Sequence, residues 1–244
     1  VVWYRFFLLF FDSYSWNFSV MLAVVLVGIS LGALLASYWF KKQPDAHKFI
    51  FPLTILNALL ITILYGKFDF AFDRTIVLGP NTSIGLCSLF FMFPICFISG
   101  IMFSMFGNVL SLVIPSKTKA IGLLTLFNTC GGMCGAILAG IVAIPHLGIE
   151  RSFFFLALLY GSILILVLPE LRQTVSRATI LWTQVGLFIL SLTYFPFGKM
   201  KDTFSMRAIR ICTEKWGEKR VAYKEGVNET IQYLRYDLLG VPYY

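Results

Sequence analysis

The charged positions of this chain are confined to narrow bands. Six stretches, 13–40, 49–66, 75–116, 120–149, 152–169 and 178–198, contain no Asp, Glu, Lys or Arg, and together they cover nearly two thirds of the 244 residues. A charge at the centre of a bilayer costs at least ~2.5 kcal/mol, so this segregation marks a chain whose solvent is hydrocarbon. A core about 30 Å thick needs ~20 residues of helix. The pattern therefore predicts spans at Phe18–Phe40, Phe49–Tyr65, Ile84–Ile114, Ala120–Ile144, Ser152–Leu168 and Ile180–Phe197, with Val1–Phe11 as the stub of a partial first one. The expected fold class is an all-α polytopic membrane protein, a bundle of six full spans over residues 1–198. Ile84–Ile114 is too long for one straight crossing and must tilt, bend near Pro94 or finish along the surface. Ile180–Phe197 is interrupted by Gln184, Gly186 and Pro196.

Composition agrees: 58% hydrophobic and 13% charged residues leave too little polar surface to cover a soluble globule of this size. The expected location is a plasma or bacterial inner membrane, with the lipid bilayer as the principal partner and nothing that points to nucleic acid. Val1 is not an initiator Met and Tyr244 falls inside a strand-and-turn pattern, so both ends are expected to be internal to a longer protein.

Loop charges alternate along the chain. Lys41, Lys42 and Lys48, then Lys117 and Lys119, then Arg172 and Arg177 form the basic loops that belong in the cytoplasm, while Lys67/Asp69/Asp73/Arg74 and Glu150/Arg151 are balanced. Parity sends the segment after Phe197 to the side of the balanced loops. Lys199, Lys201, Arg207, Arg210 and Lys215 argue for the other side, and the two rules stay in conflict. Sequons occur at Asn17, Asn81 and Asn228.

Helices in lipid are held together by close backbone approach through small residues. Gly28, Gly32 and Ala36 are spaced four apart, and a second stripe contains Gly131 and Gly135 with Gly132, Ala136 and Gly140. Both predict intramolecular seams, with a homodimer through the same faces as the alternative. Asn57, Asn108 and Asn128 are amides that would be costly facing lipid, so they are expected to point inward, as interhelical hydrogen bonds or as a polar path. No ionisable residue lies in the middle of a complete span, which removes the usual machinery of proton coupling. His47 and His146 sit at span ends. Cys87, Cys96, Cys130, Cys134 and Cys212 form neither a C-x-x-C pair nor a zinc-type cluster, so no metal site is assigned. No nucleophile elbow, P-loop or dinucleotide fingerprint is present, so no catalytic or cofactor-binding residue is assigned either.

From Lys199 the last 46 residues carry nine Lys/Arg and six Asp/Glu. Met200, Phe204, Ala208, Ile211 and Cys212 recur at helical spacing among the cations, which predicts an amphipathic interfacial or linker helix over 199–217. Arg220–Glu225 and Thr230–Tyr236, separated by Gly226-Val227-Asn228-Glu229, read as a hairpin opening a small β region over 218–244.

Three segments together resemble the fused membrane/spermidine-synthase-like proteins: the lysine-terminated run Phe18–Phe40, the stretch Phe127-Asn128-Thr129-Cys130-Gly131-Gly132-Met133-Cys134-Gly135-Ala136 followed by Ile144-Pro145-His146-Leu147-Gly148, and Tyr223-Lys224-Glu225-Gly226-Val227-Asn228-Glu229-Thr230. In that family a major-facilitator-like helical region precedes a polyamine aminopropyltransferase domain. The resemblance implies that the hairpin begins the synthase-like domain, and that its nucleotide-binding turn, catalytic aspartate and site for decarboxylated S-adenosylmethionine would follow Tyr244. The leading expectation is a non-catalytic membrane module that anchors or regulates a C-terminal synthase-like domain in cis, the intact protein being aminopropyltransferase-like. The alternative is a major-facilitator-like transporter of a polyamine or other small solute, lined by Asn57, Asn108 and Asn128.

Overall fold

The structure, a computed structural model, describes residues 1–11, 15–43, 49–162, 175–204, 219–227, 230–238 and 241–243. It is mostly helical. In chain order the helices are α1 (Val2–Phe7), α2 (Ser15–Lys42), α3 (Ile50–Gly66), α4 (Phe68–Thr75), α5 (Pro80–Phe91), α6 (Phe93–Val113), α7 (Lys117–Ile137), α8 (Ile144–Ser162) and α9 (Val175–Thr193). A small antiparallel sheet of three strands follows, β1 (Lys219–Glu225), β2 (Thr230–Leu238) and β3 (Val241–Tyr243), in the order β1-β2-β3.

The boundaries follow local chemistry. Pro80 opens α5 after Gly79, which takes φ 93°, a backbone region that L side chains avoid. Pro94 has no N–H to donate, and the long apolar run 84–114 breaks at Met92 beside it. Ser116 caps α7, its hydroxyl accepting from the Lys119 N–H at 3.4 Å. Beyond Ile137 the helix widens into a π segment, Leu138–Ala143, and runs into α8. Within α8 the helical path is interrupted only at Gly148 (φ 83°).

Among the described residues three helices are long and apolar enough to cross a membrane: Ser15–Lys42, Phe93–Val113 and the run Lys117–Ser162, which Gly148 breaks. A fourth is obtained if α3 and α4, which meet at 59°, count as one. The expectation of six separate full spans therefore reduces to this coarser statement. The two expected spans Ala120–Ile144 and Ser152–Leu168 fall on either side of a break at Gly148, with the stretch from Pro145 helical up to that glycine; residues 163–168 lie outside the described ones. The last helix begins earlier than Ile180 and stops before Pro196. The expected stub Val1–Phe11 is helical only over Val2–Phe7, and Trp3, Phe6, Phe7, Phe10 and Phe11 are buried rather than lipid-facing.

The tightest contact is the parallel packing of α2 on α6. Gly28 faces Cys96, where an added Cβ would sit 3.0 Å from the Cys96 Cβ. At Gly32 a Cβ would collide with the Phe97 carbonyl oxygen, and at Gly100, from the other side, with the Ile29 carbonyl oxygen. Ala36 completes the stripe against Ile101 and Met105. The first glycine seam is thus intramolecular, as its spacing predicts. The second has no packing partner among the described residues: an added Cβ at Gly131, Gly132 or Gly135 meets nothing within 4 Å, Ala136 is exposed, and Gly140 has Val1 at 3.9 Å. Four-residue spacing of small residues makes a groove but does not supply the helix that fills it.

The main core lies at one end of the bundle and is aromatic. Phe6, Phe7, Phe10, Tyr65, Phe68, Phe72, Phe91, Phe153, Phe195 and Phe204 interlock, mostly edge to face, with Tyr65 stacked on Phe195 at 5.4 Å between centroids. The outer faces are oily: Leu34, Phe127 and Val113 are 66%, 71% and 75% exposed.

Candidate functional site

At the aromatic end of the bundle, five chain segments bring polar groups together. Tyr65 is the penultimate residue of α3, and its hydroxyl donates to Glu150 Oε1 at 3.1 Å; the Met200 N–H lies 3.5 Å from the same oxygen. Arg5 on α1, 9% exposed, donates from Nη2 to the Gly226 carbonyl at 2.8 Å. Glu225, the last residue of β1, accepts from the Ile149 N–H through Oε2 at 2.5 Å and from the Tyr223 hydroxyl through Oε1. Lys199 donates to the Gly66 carbonyl at the end of α3 at 2.8 Å and lies 3.7 Å from Asp69.

Local sequence explains the arrangement. Gly148 turns the chain through a positive φ so that a fresh helical run begins at Ile149, and its missing side chain leaves room for a carboxylate; an added Cβ would be 3.3 Å from Glu225 Oε2. The Ile149–Ser162 run exposes its first N–H groups where the helix dipole is positive, and Glu225 supplies the anion from a distant strand. Ser152 closes the turn by donating to the Gly148 carbonyl at 2.7 Å. Lys199 does the reverse at the C-terminal end of α3, placing a cation on a carbonyl that the helix leaves open.

The half-buried Glu225 carboxyl is pushed above its ordinary range, chiefly by burial and further by Glu150, against hydrogen bonds from Tyr223 and Ile149 and the charge of Arg5. Chemically the arrangement is a clasp: among the described residues its hydroxyls, amides and guanidinium bond to one another.

The three asparagines of the expected polar path do not share an environment. Asn57 on α3 is fully buried, its Nδ2 donating to Ser99 Oγ at 3.2 Å; Ser99 in turn donates to the Ile95 carbonyl at 2.8 Å and meets the Tyr160 hydroxyl at 3.2 Å. That network ties α3, α6 and α8 together. Asn108 is half-buried and Asn128 is exposed on α7. Because Asn57 Oδ1 finds no partner among the described residues, replacing the amide removes one hydrogen bond and one orphaned acceptor together. Asn57→Leu is expected to change stability by no more than about 1 kcal/mol, read as the thermal midpoint in detergent.

Asn17 is buried within α2, which leaves that sequon inaccessible. Asn228, His47, Cys212 and the stretch 205–217 of the expected amphipathic helix lie outside the described residues. The described start of that helix is a π turn, Met200–Phe204, whose Met200 and Phe204 are buried in the aromatic core. Sequence reasoning missed Arg5, Tyr65, Glu150, Tyr223 and Glu225 as a group. The available signals were one glycine just before an acidic residue at 148–150 and a glutamate placed directly before the hairpin glycine.

No protein-family model, curated protein or solved structure matches this chain.

Proposed function

We propose that this chain is the multi-pass, integral membrane module of a spermidine-synthase-like protein, non-catalytic in itself, whose task is to hold a β-rich synthase-like domain in a fixed seat on the helix bundle. The observation that carries the reading is the clasp: a strand that merely tethered the next domain would not send Glu225 and the Gly226 carbonyl to a helix N-terminus and a buried arginine. The family resemblance supplies the identity of the seated domain, and the charge-free runs and oily outer faces support the membrane setting. Two contacts, from the Arg5 guanidinium to the Gly226 carbonyl and from the Ile149 N–H to Glu225, anchor the hairpin next to the aromatic core, so the domain it begins is oriented as well as retained.

A transporter reading draws less support, since Asn57 is occupied in holding helices together while Asn128 lies apart on an exposed face. The test reconstitutes the chain in proteoliposomes and offers radiolabelled spermidine. No saturable uptake is expected; uptake abolished by Asn57→Ala would overturn the proposal in favour of transport. In parallel, membranes washed with alkaline carbonate should retain the chain, and its release into detergent-free buffer as a monodisperse particle would remove the membrane setting altogether.

A further inference from the structure

Four lysines stand at the end of the bundle opposite the clasp. Ala36, Ile50, Ile101 and Met105 form one buried cluster, with Trp39, Phe40 and Val109 against it, so the close of α2, the start of α3 and the second half of α6 share one level. Above that level α2 continues for about 9 Å to Lys42 and α6 for about 12 Å to Val113, at ~1.5 Å per residue. α7 returns alongside α6, where a Cβ on Gly107 would lie 3.0 Å from Leu124 Cδ2, and its first turn carries Lys117 and Lys119 back to the same end. Tyr65 and Gly66, which make the clasp's contacts from α3, lie at the other end of that helix, about 25 Å away.

Two kinds of chemistry meet at the lysine end. Lys41, Lys42, Lys117 and Lys119 are all exposed, and the segments 39–43, 49–52 and 109–120 that build this end contain no Asp or Glu. At the clasp end cations and carboxylates are mixed, as Lys199 beside Asp69 illustrates. Just below the lysines the surface is oily: Leu112 and Val113 are 72% and 75% exposed. Amphipathic aromatics sit at the boundary. The Lys42 ammonium lies 4.7 Å over the exposed Tyr38 ring, and Trp39 packs against Phe49 at 5.0 Å while its Nε1 donates to Gln43 Oε1 at 3.1 Å. Hydrocarbon contact, then aromatic ring, then cation is the order of layers at the rim of a bilayer.

We propose that this end of the bundle binds the headgroups of anionic phospholipids, with Lys41, Lys42, Lys117 and Lys119 supplying the charge and the apolar rim at Leu112 and Val113 receiving the acyl chains. The occupant is a lipid rather than a soluble anion because only a lipid covers the oily surface and meets the cations at once. The inference rests on the membrane setting proposed above, which the carbonate wash tests separately, and is independent of the clasp. Each lysine beside an anionic surface favours it by about fivefold. A zwitterionic headgroup, with no net charge, gains none of this.

The test places the whole chain in phosphatidylcholine vesicles with one fluorophore, on Leu112→Cys at the lysine end or on Val77→Cys before α5 at the other, both exposed positions, in a background whose native cysteines are replaced by Ser or Ala. The quencher is phosphatidylglycerol or phosphatidylcholine carrying a nitroxide near the top of its acyl chain. In roughly 0.01 M salt, where charges act over about 30 Å, phosphatidylglycerol is expected to be enriched several-fold over phosphatidylcholine at position 112, and the excess should fall towards unity in roughly 1 M salt, where they act over about 3 Å. Lys41→Gln, Lys42→Gln, Lys117→Gln and Lys119→Gln together should abolish the excess, whereas Lys67→Gln with Arg151→Gln, exposed cations of the clasp end, should leave it intact. Equal quenching by the two lipids at 112, an excess that survives the four glutamines, or the same excess at 77 would overturn the proposal. A chain that leaves the membrane in alkaline carbonate would instead overturn the setting on which it rests.

Discussion

Valine in place of Gly32 is expected to cost this fold about 3 kcal/mol or more, the upper end of what overpacking does. The obstacle is not a side chain that can step aside. It is the Phe97 carbonyl of the facing helix, with the Ile101 N–H group beside it, and both are held in place by their own helical hydrogen bonds. Relief requires α2 and α6 to separate, which would also open the contacts of Gly28, Gly100 and Ala36. The measurement is the thermal midpoint and monodispersity of the protein in mild detergent, where the variant should be lost or strongly shifted. Gly131→Val supplies the control. An added Cβ there meets nothing, so its effect should stay within about 0.5 kcal/mol. Equal damage from both substitutions would mean that the second stripe, too, is packed in the folded molecule.

The second large effect is expected at Arg5. Arg5→Met keeps the aliphatic bulk but takes the guanidinium from the Gly226 carbonyl and from Glu225. Losing a half-buried, charge-assisted bond costs about 1.5–3 kcal/mol, roughly ten- to a hundredfold in the seated population of the hairpin. Limited proteolysis of the hairpin should accelerate accordingly. Lys199→Ala is the comparison. Its side chain is 36% exposed and its partner Asp69 is 24% exposed, so the loss should be under about 1 kcal/mol. Combined with Glu225→Gln, Arg5→Met should cost less than the sum of the two, because both act on one network.

What the sequence made legible is what hydrocarbon and backbone geometry dictate over short range. Apolar run length located the long helices to within a few residues, and Pro94 correctly marked the place where the run 84–114 breaks. The hairpin was readable because glycine, asparagine and alternating side chains act within ten residues of each other. Glycine spacing described both stripes equally well, yet among the described residues only the first has a partner helix, and a partner is a property of topology. The polar clasp was hidden for the same reason: Arg5 and Gly226 are 221 residues apart, and Glu225 is 76 from Ile149. Their local surroundings look like an ordinary span start and an ordinary turn. Charge counting left the sidedness of the tail in conflict; of the segment after Phe197, Lys199 rests on Gly66 and Met200 on Glu150, so its described start lies at the end of the bundle that carries those residues.

The helical run from Lys117 to Ser162 has two compliant joints close together, the widened turns at Leu138–Ala143 and the glycine break at 148. Glu225 grips the chain immediately after the second. A pull on β1 is thus delivered to the turn at which one helix ends and the next begins, where the backbone bends most cheaply, and not to the middle of either helix.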